Sequence, residues 1–413
     1  MKHYGMSGGV LRRHFSQAVK YFSTVSPSCD QKSITPFVTP VSDVDKAAVY
    51  VHWPFCQKRC TYCNFNKYIC NTVDHERMKR CLIKETQTLV QESCINTITS
   101  VFFGGGTPSL AEPKTLESVL DKLASIASMQ PETEISMEIN PTNLETQKLL
   151  EFKHAGINRA SIGVQTLNDD ALKILGRDHT SSDSLRCLKE AVQIFSGHVS
   201  VDMIFGFPGH TLKHWQKELK QMTDLCGCHI SLYQLTLERG TQLFKEVTAG
   251  QRVLPDSDEV ADMYLAAVEI LKEKGFEQYE VSNFAKNDNY CLHNIAYWTG
   301  QQYLGVGPGS HGRVWCHKAT STKPQREARV QTLEPENWLW EVEQFGHATR
   351  RRVVQSTQDI MEELLSVGLR TKWGVTHANW SSLCCGITLA QLCSCPRTLK
   401  WISNGTLILV LEV

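Results

Sequence analysis

The sequence predicts an α/β fold: an open, partial (β/α)6 barrel followed by a smaller C-terminal domain of mixed α/β structure. From about residue 47, short runs rich in β-branched and aromatic residues alternate with longer amphipathic stretches, the order that builds a parallel sheet from right-handed crossover units. The alternation supplies six strand-and-helix units, fewer than the eight of a closed barrel. Past about residue 285 it gives way to a glycine-rich, aromatic stretch and then a polar one.

Each strand has its own signal. "AVYVHW" (48–53), "SVFFGG" (100–105), "EISMEIN" (134–140), "RASIGVQ" (159–165), "VSVDMIFG" (199–206) and "HISLYQL" (229–235) are short, β-branched or aromatic, and bounded by polar residues. Between them, "DHERMKRCLIKETQTLVQES" and "TLKHWQKELKQMTDL" carry the helical period, and a further helix is expected near 256–274. Beyond the barrel, "QDIMEELLSVGLRT" reads as a helix.

Composition narrows the class. The chain has 413 residues, 41% of them apolar, enough for a large buried core. Forty-three basic residues balance forty-three acidic ones, so no charge pattern points to nucleic acid or an anionic membrane. The longest apolar runs, such as "GTLILVLEV", are too short to span a bilayer. Residues 1–29 contain Lys2, Arg12, Arg13 and Lys20, many serines and no acid before Asp30. That bias resembles a mitochondrial transit peptide, the alternative being a disordered cytosolic tail. Residues 1–40 are accordingly read as transit peptide and linker, 41–285 as the barrel and 286–413 as the C-terminal domain, in a protein of the mitochondrial matrix. Either compartment keeps thiols reduced, so the sixteen cysteines are better read as metal ligands or free thiols than as disulfides.

In a parallel barrel, reactive groups gather at the carboxyl ends of the strands. Here those ends carry a cysteine loop, then "GGGTP", Glu138, Gln165 and Asp202. The loop, "WPFCQKRCTYCNF", sets Cys56, Cys60 and Cys63 four and three positions apart. Three such thiolates fit a 4Fe–4S cube with one iron left open for a small chelating ligand. A zinc knuckle completed by Cys70 or a distant residue is the alternative. The glycines of "FFGGGTP" let bare backbone approach a ligand, or make only a tight turn. Glu138 and Asp202 can accept hydrogen bonds from hydroxyls or an ammonium group, or cap helices. Arg177 suits a carboxylate, which its planar fork pairs at two oxygens.

The cysteine spacing at the first strand resembles the radical S-adenosylmethionine (SAM) superfamily. Within it, "YVHWPFCQKRCTYCNF", "FFGGGTPS", "MEINP", "SIGVQTLND", "LGRDH" and "VDMIFGFPGHT" resemble the oxygen-independent coproporphyrinogen oxidases and their relatives, in order and separation, over about 48–240. The resemblance implies that Cys56, Cys60 and Cys63 bind the cluster, and that Cys70 and Cys81 do not. It implies SAM contacts at Tyr50, Gly105, Gly106, Thr107, Glu138, Gln165, Arg177 and Asp202, with Tyr62 over the adenine and Thr236 contributing its backbone.

Two kinds of protein share this pattern, oxidases and HemW haem chaperones. The oxidases carry a fourth cysteine where this chain has Phe65, and an N-terminal lid for which too little chain precedes Tyr50. "HNIAYW", 293–298, is similar to the HNxxYW signature of HemW. The resemblance implies a haem chaperone that hands haem to acceptor proteins and draws electrons from a donor, with His293 as a candidate iron ligand and Tyr297 and Trp298 packed near the macrocycle. A plainer reading of the hexapeptide has His293 and Asn294 capping a helix whose Tyr297 and Trp298 fill the core. The alternative functions are coproporphyrinogen III oxidation or another radical SAM reaction. The tail after about 375 is shorter and richer in cysteine than the family leads one to expect, and Cys384, Cys385, Cys393 and Cys395 are read as buried or free thiols.

Overall fold

The computed structural model describes residues 44–70, 72–316 and 324–383. The expected transit peptide and the four tail cysteines lie outside the described residues. The chain runs from β1 (Lys46–Trp53) through a small parallel pair, β2 (Phe55–Cys56) and β3 (Tyr68–Ile69), into β4 (Thr97–Gly105), β5 (Ser128–Ile139), β6 (Arg159–Gln165), β7 (Val199–Phe205) and β8 (His229–Gln234). It continues with β9 (Glu277–Glu280), β10 (Asn283–Ala285), β11 (Tyr303–Val306), β12 (His311–Cys316), β13 (Gln325–Gln331) and β14 (Thr349–Val354). The six expected strands are β1 and β4 to β8, neighbours in that order and all parallel.

Both faces of this sheet are buried, and alternation sorts them. Val49 and Val51 of β1, Val101 and Phe103 of β4, Ile162 and Val164 of β6, and Val201 and Met203 of β7 join the main core, together with Leu82, Leu116, Leu188 and Leu219 from the covering helices. The intervening residues, Ser100, Ser136, Glu138, Ser161, Ser200, Asp202 and Ser231, point the other way into a polar interior. The helices start where the sequence supplies caps. Asp74 caps His75–Glu92, Thr180 and Asp183 form a reciprocal box at Ser181–Ile194, and Thr211 caps Leu212–Leu225.

The chain after residue 285 has the expected mixed character, and it extends the same sheet. On one edge β11 lies parallel to β1, with Ala48 opposite Tyr303, and β12 to β14 continue antiparallel. On the other, the β9–β10 hairpin adds to β8. The helix Leu292–Trp298 sits against the inner face near the start of β4 and β5. There Glu134 accepts the Leu292 and His293 amides, both at 3.1 Å, and pairs with buried Arg159 at 3.7 Å.

One buried carboxylate joins the first helix to the C-terminal segment. Glu85 accepts N–H bonds from Gly307 (2.7 Å), Trp338 Nε1 (2.9 Å) and Ala348 (2.9 Å). Burial pushes its carboxyl up to about 7 against those three donors. Glu85→Ala would leave all three donors buried and unpaired. The expected cost is about 3 kcal/mol or more, read as a lower urea midpoint at pH 7.

Candidate functional site

At the carboxyl ends of the parallel strands lies a cavity of about 220 Å³. Its lining brings together Cys56, Cys60, Cys63, Tyr62, Gly105, Gly106, Thr107, Glu138, Gln165, Arg177, Asp202 and Thr236. Of the residues expected around a cluster and SAM, Tyr50 alone is not in the lining. It sits one layer below, stacked on Phe102 with ring centroids 6.2 Å apart.

The cysteine loop is tied down from three sides. Thr61 donates from its amide to Leu175 O and from its hydroxyl to Ile174 O (3.1 and 2.8 Å), while Leu243 N donates to Thr61 O (2.9 Å). Lys67 Nζ reaches Cys63 O at 2.6 Å. His52 Nε2–H donates to Asn66 O (2.8 Å), leaving Nδ1 to accept the Tyr50 hydroxyl (3.1 Å). Asn64 donates to Glu238 (2.7 Å), which links the loop to the segment after β8.

The glycine run owes its composition to these neighbours. Gly105 has φ +117°, and a Cβ there would lie 2.5 Å from the His52 ring; at Gly106 it would lie 2.8 Å from Phe55 O. Close approach of the chain to itself therefore requires glycine at both, whatever ligand the loop meets. Gln165 ends β6 in the left-handed region at φ +66°, a conformation a non-glycine residue adopts only where its surroundings hold it.

Two carboxylates, Glu138 and Asp202, line the cavity. Glu138 accepts Gly105 N–H at 3.0 Å, and burial, with some repulsion from Asp202, pushes it up to about 8. Asp202 accepts the Ser161 hydroxyl at 2.7 Å and is likewise raised by burial. Arg177 lies beside the cysteines: its Nη1 is 3.4 Å from Cys60 Sγ, and its Nη2 bonds Asn140 Oδ1 (2.5 Å) and Gly163 O (3.3 Å). Its Nε is buried without a partner. A cationic ligand that carries its own carboxylate would answer both the acids and this donor.

The donor set suits an iron–sulfur group. Three thiols converge on one mouth, and Phe65, 40% exposed, lines the same rim. Cys70 is absent from the lining and donates to Thr72 O (3.0 Å), and Cys81 is in the core facing Leu339 O. Sequence reasoning passed over Asn140, Ser161 and Glu238 in the lining. Asn140 closes the quoted "MEIN", where the strand-end rule could have found it; nothing local marks Glu238.

The expected haem residues lie elsewhere, and His293 is held among protein partners. It is 1% exposed, with Nδ1 bonded to Ser100 Oγ (2.9 Å), Nε2 to Tyr297 Oη (2.7 Å) and its ring stacked on Phe102 at 5.1 Å. Both nitrogens are taken by these bonds. Tyr297 packs against Ala48 and Tyr303, and Trp298 takes the Arg370 guanidinium over its ring at 5.2 Å. None of the three lines the cavity.

Comparison with known proteins agrees with the site. Residues 50–222 match the model of the radical SAM superfamily. The chain is 46% identical over 399 residues to the mitochondrial radical S-adenosyl methionine domain-containing protein 1 of Danio rerio, covering 97% of this chain and 88% of that one. It is 31% identical to the heme chaperone HemW of Bacillus subtilis, over 81% of this chain and 86% of HemW. Among solved structures, the coproporphyrinogen III oxidase HemN of Escherichia coli superposes with a TM-score of 0.65 at 20% identity, covering 80% and 78% of the two chains; that likeness shows the fold alone.

Replacing Cys56, Cys60 or Cys63 by Ala should abolish iron loading and the cluster's visible absorption after anaerobic reconstitution. Cys70→Ala and Cys81→Ala should load as the wild type does. Iron loss in either of these would mean that the ligand set is misread.

Proposed function

This chain belongs to the radical SAM superfamily, in the branch of radical SAM domain-containing protein 1 and the HemW haem chaperones, and on that premise we propose that it is a haem chaperone of the mitochondrial matrix. In this reading it binds haem, a 4Fe–4S cluster and SAM, and delivers haem to acceptor proteins. The observation that carries it is similarity to a protein named as a heme chaperone over 86% of that protein's length. Phe65, in place of the oxidases' fourth cysteine, favours it over coproporphyrinogen oxidation.

The barrel's own residues account for the binding. Cys56, Cys60 and Cys63 would hold the cluster, which supplies a single electron when bound. Glu138 and Asp202 would take the cationic and hydroxyl groups of SAM, and Arg177 its carboxylate. Tyr62 packs among Ile204, Phe207 and Leu235, an apolar wall suited to adenine. Tyr50 supports this set from behind Gly104, where a Cβ would lie 3.0 Å from the Tyr50 ring. The protein's work is alignment and exclusion of water.

The geometry favours a supporting role for His293 over an axial one. Burial holds its imidazole neutral down to about 3, and Ser100 and Tyr297 occupy both nitrogens. The plainer reading is met in part: the hexapeptide is helical, but the N-cap is Cys291, and His293 and Asn294 lie within the helix. An anaerobic optical titration of cluster-loaded protein should give stoichiometric haem binding, and His293→Ala should retain it while melting earlier. Loss of haem by a variant with intact cluster and unchanged melting would return His293 to the iron. No specific binding by either protein would return the chain to the catalytic members of the superfamily.

Charge linkage gives an independent test of the SAM site. With its pKa raised to about 8, Glu138 is mostly protonated at pH 7, and a cation bound beside it lowers that pKa. SAM binding should therefore release up to about one proton at pH 7 and almost none at pH 9, where Glu138 is already ionised. Calorimetry in two buffers of different ionisation enthalpy reads this, and Glu138→Gln should lose it.

A further inference from the structure

Two side chains expected to face SAM donate hydrogen bonds to the cysteines. The Thr107 hydroxyl donates to Cys56 Sγ at 3.3 Å, and Arg177 Nη1 donates to Cys60 Sγ at 3.4 Å, both ordinary distances for donors on sulfur. Neither geometry is loose. Thr107 is fixed by its own amide, which donates to Phe55 O at 3.0 Å across the base of the cysteine loop. Arg177 is oriented by Asn140 Oδ1 and Gly163 O on its other nitrogen, and a Cβ on Gly163 would lie 3.4 Å from that nitrogen and 2.9 Å from Gln165 Nε2. The Cys63 sulfur has no such donor among the bonds described; its carbonyl is taken by Lys67.

We propose that Thr107 and Arg177 are positioning residues of the cluster, each donating a hydrogen bond to one ligand sulfur and so raising the potential at which the cluster accepts its electron. The reduced cluster carries one more negative charge than the oxidised one. Donors that withdraw electron density from the ligand sulfurs therefore stabilise the reduced form, and a guanidinium, which adds a full positive charge, does so more than a hydroxyl. The two donors act on different cysteines, which makes their contributions separable. The inference rests on the reading of Cys56, Cys60 and Cys63 as cluster ligands.

The test is an anaerobic redox titration of reconstituted full-length protein without SAM, with dithionite as reductant and the reduced cluster followed by electron paramagnetic resonance. Wild type, Thr107→Val, Thr107→Ser and Arg177→Gln are compared, with iron per chain measured for each. At the wild-type midpoint, the ratio of reduced to oxidised cluster should fall about tenfold in Arg177→Gln, about 59 mV for one electron. It should fall by less in Thr107→Val, while Thr107→Ser, which keeps the hydroxyl, should titrate with the wild type. Unchanged midpoints in iron-replete Thr107→Val and Arg177→Gln would overturn the proposal. So would iron loss in Thr107→Val with full loading of Thr107→Ser, since the hydroxyl would then serve assembly and not potential. A wild type that takes up no iron would overturn the cluster reading itself, an outcome the iron assay separates from the others.

Discussion

A parallel sheet buried on both faces must dispose of two sets of side chains, and here only one set is apolar. The outward residues of β1 and β4 to β8 pack beneath helices, while the inward set is rich in serines, acids and histidines. Buried polar groups cost free energy unless each finds a partner, so the interior must be wired. His229 bonds Ser200 on one side and Tyr279 on the other, each at 2.7 Å, and Tyr279 accepts the Cys291 amide at 3.2 Å. Asn283 accepts the Ser231 hydroxyl (3.2 Å) and donates to Glu280 (2.6 Å), which in turn pairs with Arg370. The β9–β10 hairpin and the helix Leu292–Trp298 supply the partners that the six strands lack.

The same constraint explains why the cavity lies where it does. Toward the amino ends of the strands, the polar interior is closed by Glu134, Arg159 and the helix with His293. Toward the carboxyl ends, Glu138 and Asp202 receive amide and hydroxyl donors and, among the described residues, no hydrogen-bonded cation. Their raised pKa values are the electrostatic trace of that incompleteness, and the buried Nε of Arg177 is its counterpart.

The repeating part of the fold was legible in the sequence because it obeys simple periods. All six expected strands exist, β6 with the very ends foreseen, most of the others within three residues, and β5 starting six residues earlier than expected. Part of the cavity was legible too, since Glu138, Gln165 and Asp202 lie toward strand ends at the mouth, whereas Tyr62, Arg177 and Thr236 were expected only from the family resemblance. The edges were not. β13 reads "QREARVQ", yet Arg326, Glu327 and Arg329 are buried there: Arg329 pairs with Glu327 at 3.1 Å and Arg326 with Glu363 at 3.0 Å. Buried ion pairs, one within the strand and one to the helix carrying Glu363, erase the apolar period that strand reading depends on. Glu85 was silent because its partners lie more than two hundred residues away.

His293 marks the limit of a motif as a guide to chemistry. Histidine beside tyrosine and tryptophan reads as a ligand because an imidazole offers iron a lone pair and aromatics suit a flat ring. That inference needs an imidazole nitrogen with nothing else to bind. In a polar interior a histidine is equally valuable because it can bond at both ends, and His293 does so, bridging β4 to its own helix. The helix it anchors also receives Glu134 from β5, and its Trp298 meets Arg370, whose other face serves Glu280. A residue at such a junction can influence what happens at the mouth without touching it: the His293 ring stacks on Phe102, Phe102 on Tyr50, and Tyr50 lies against Gly104 beside Glu138. The hexapeptide is thereby tied to the architecture that holds the cysteine loop and the acids in register.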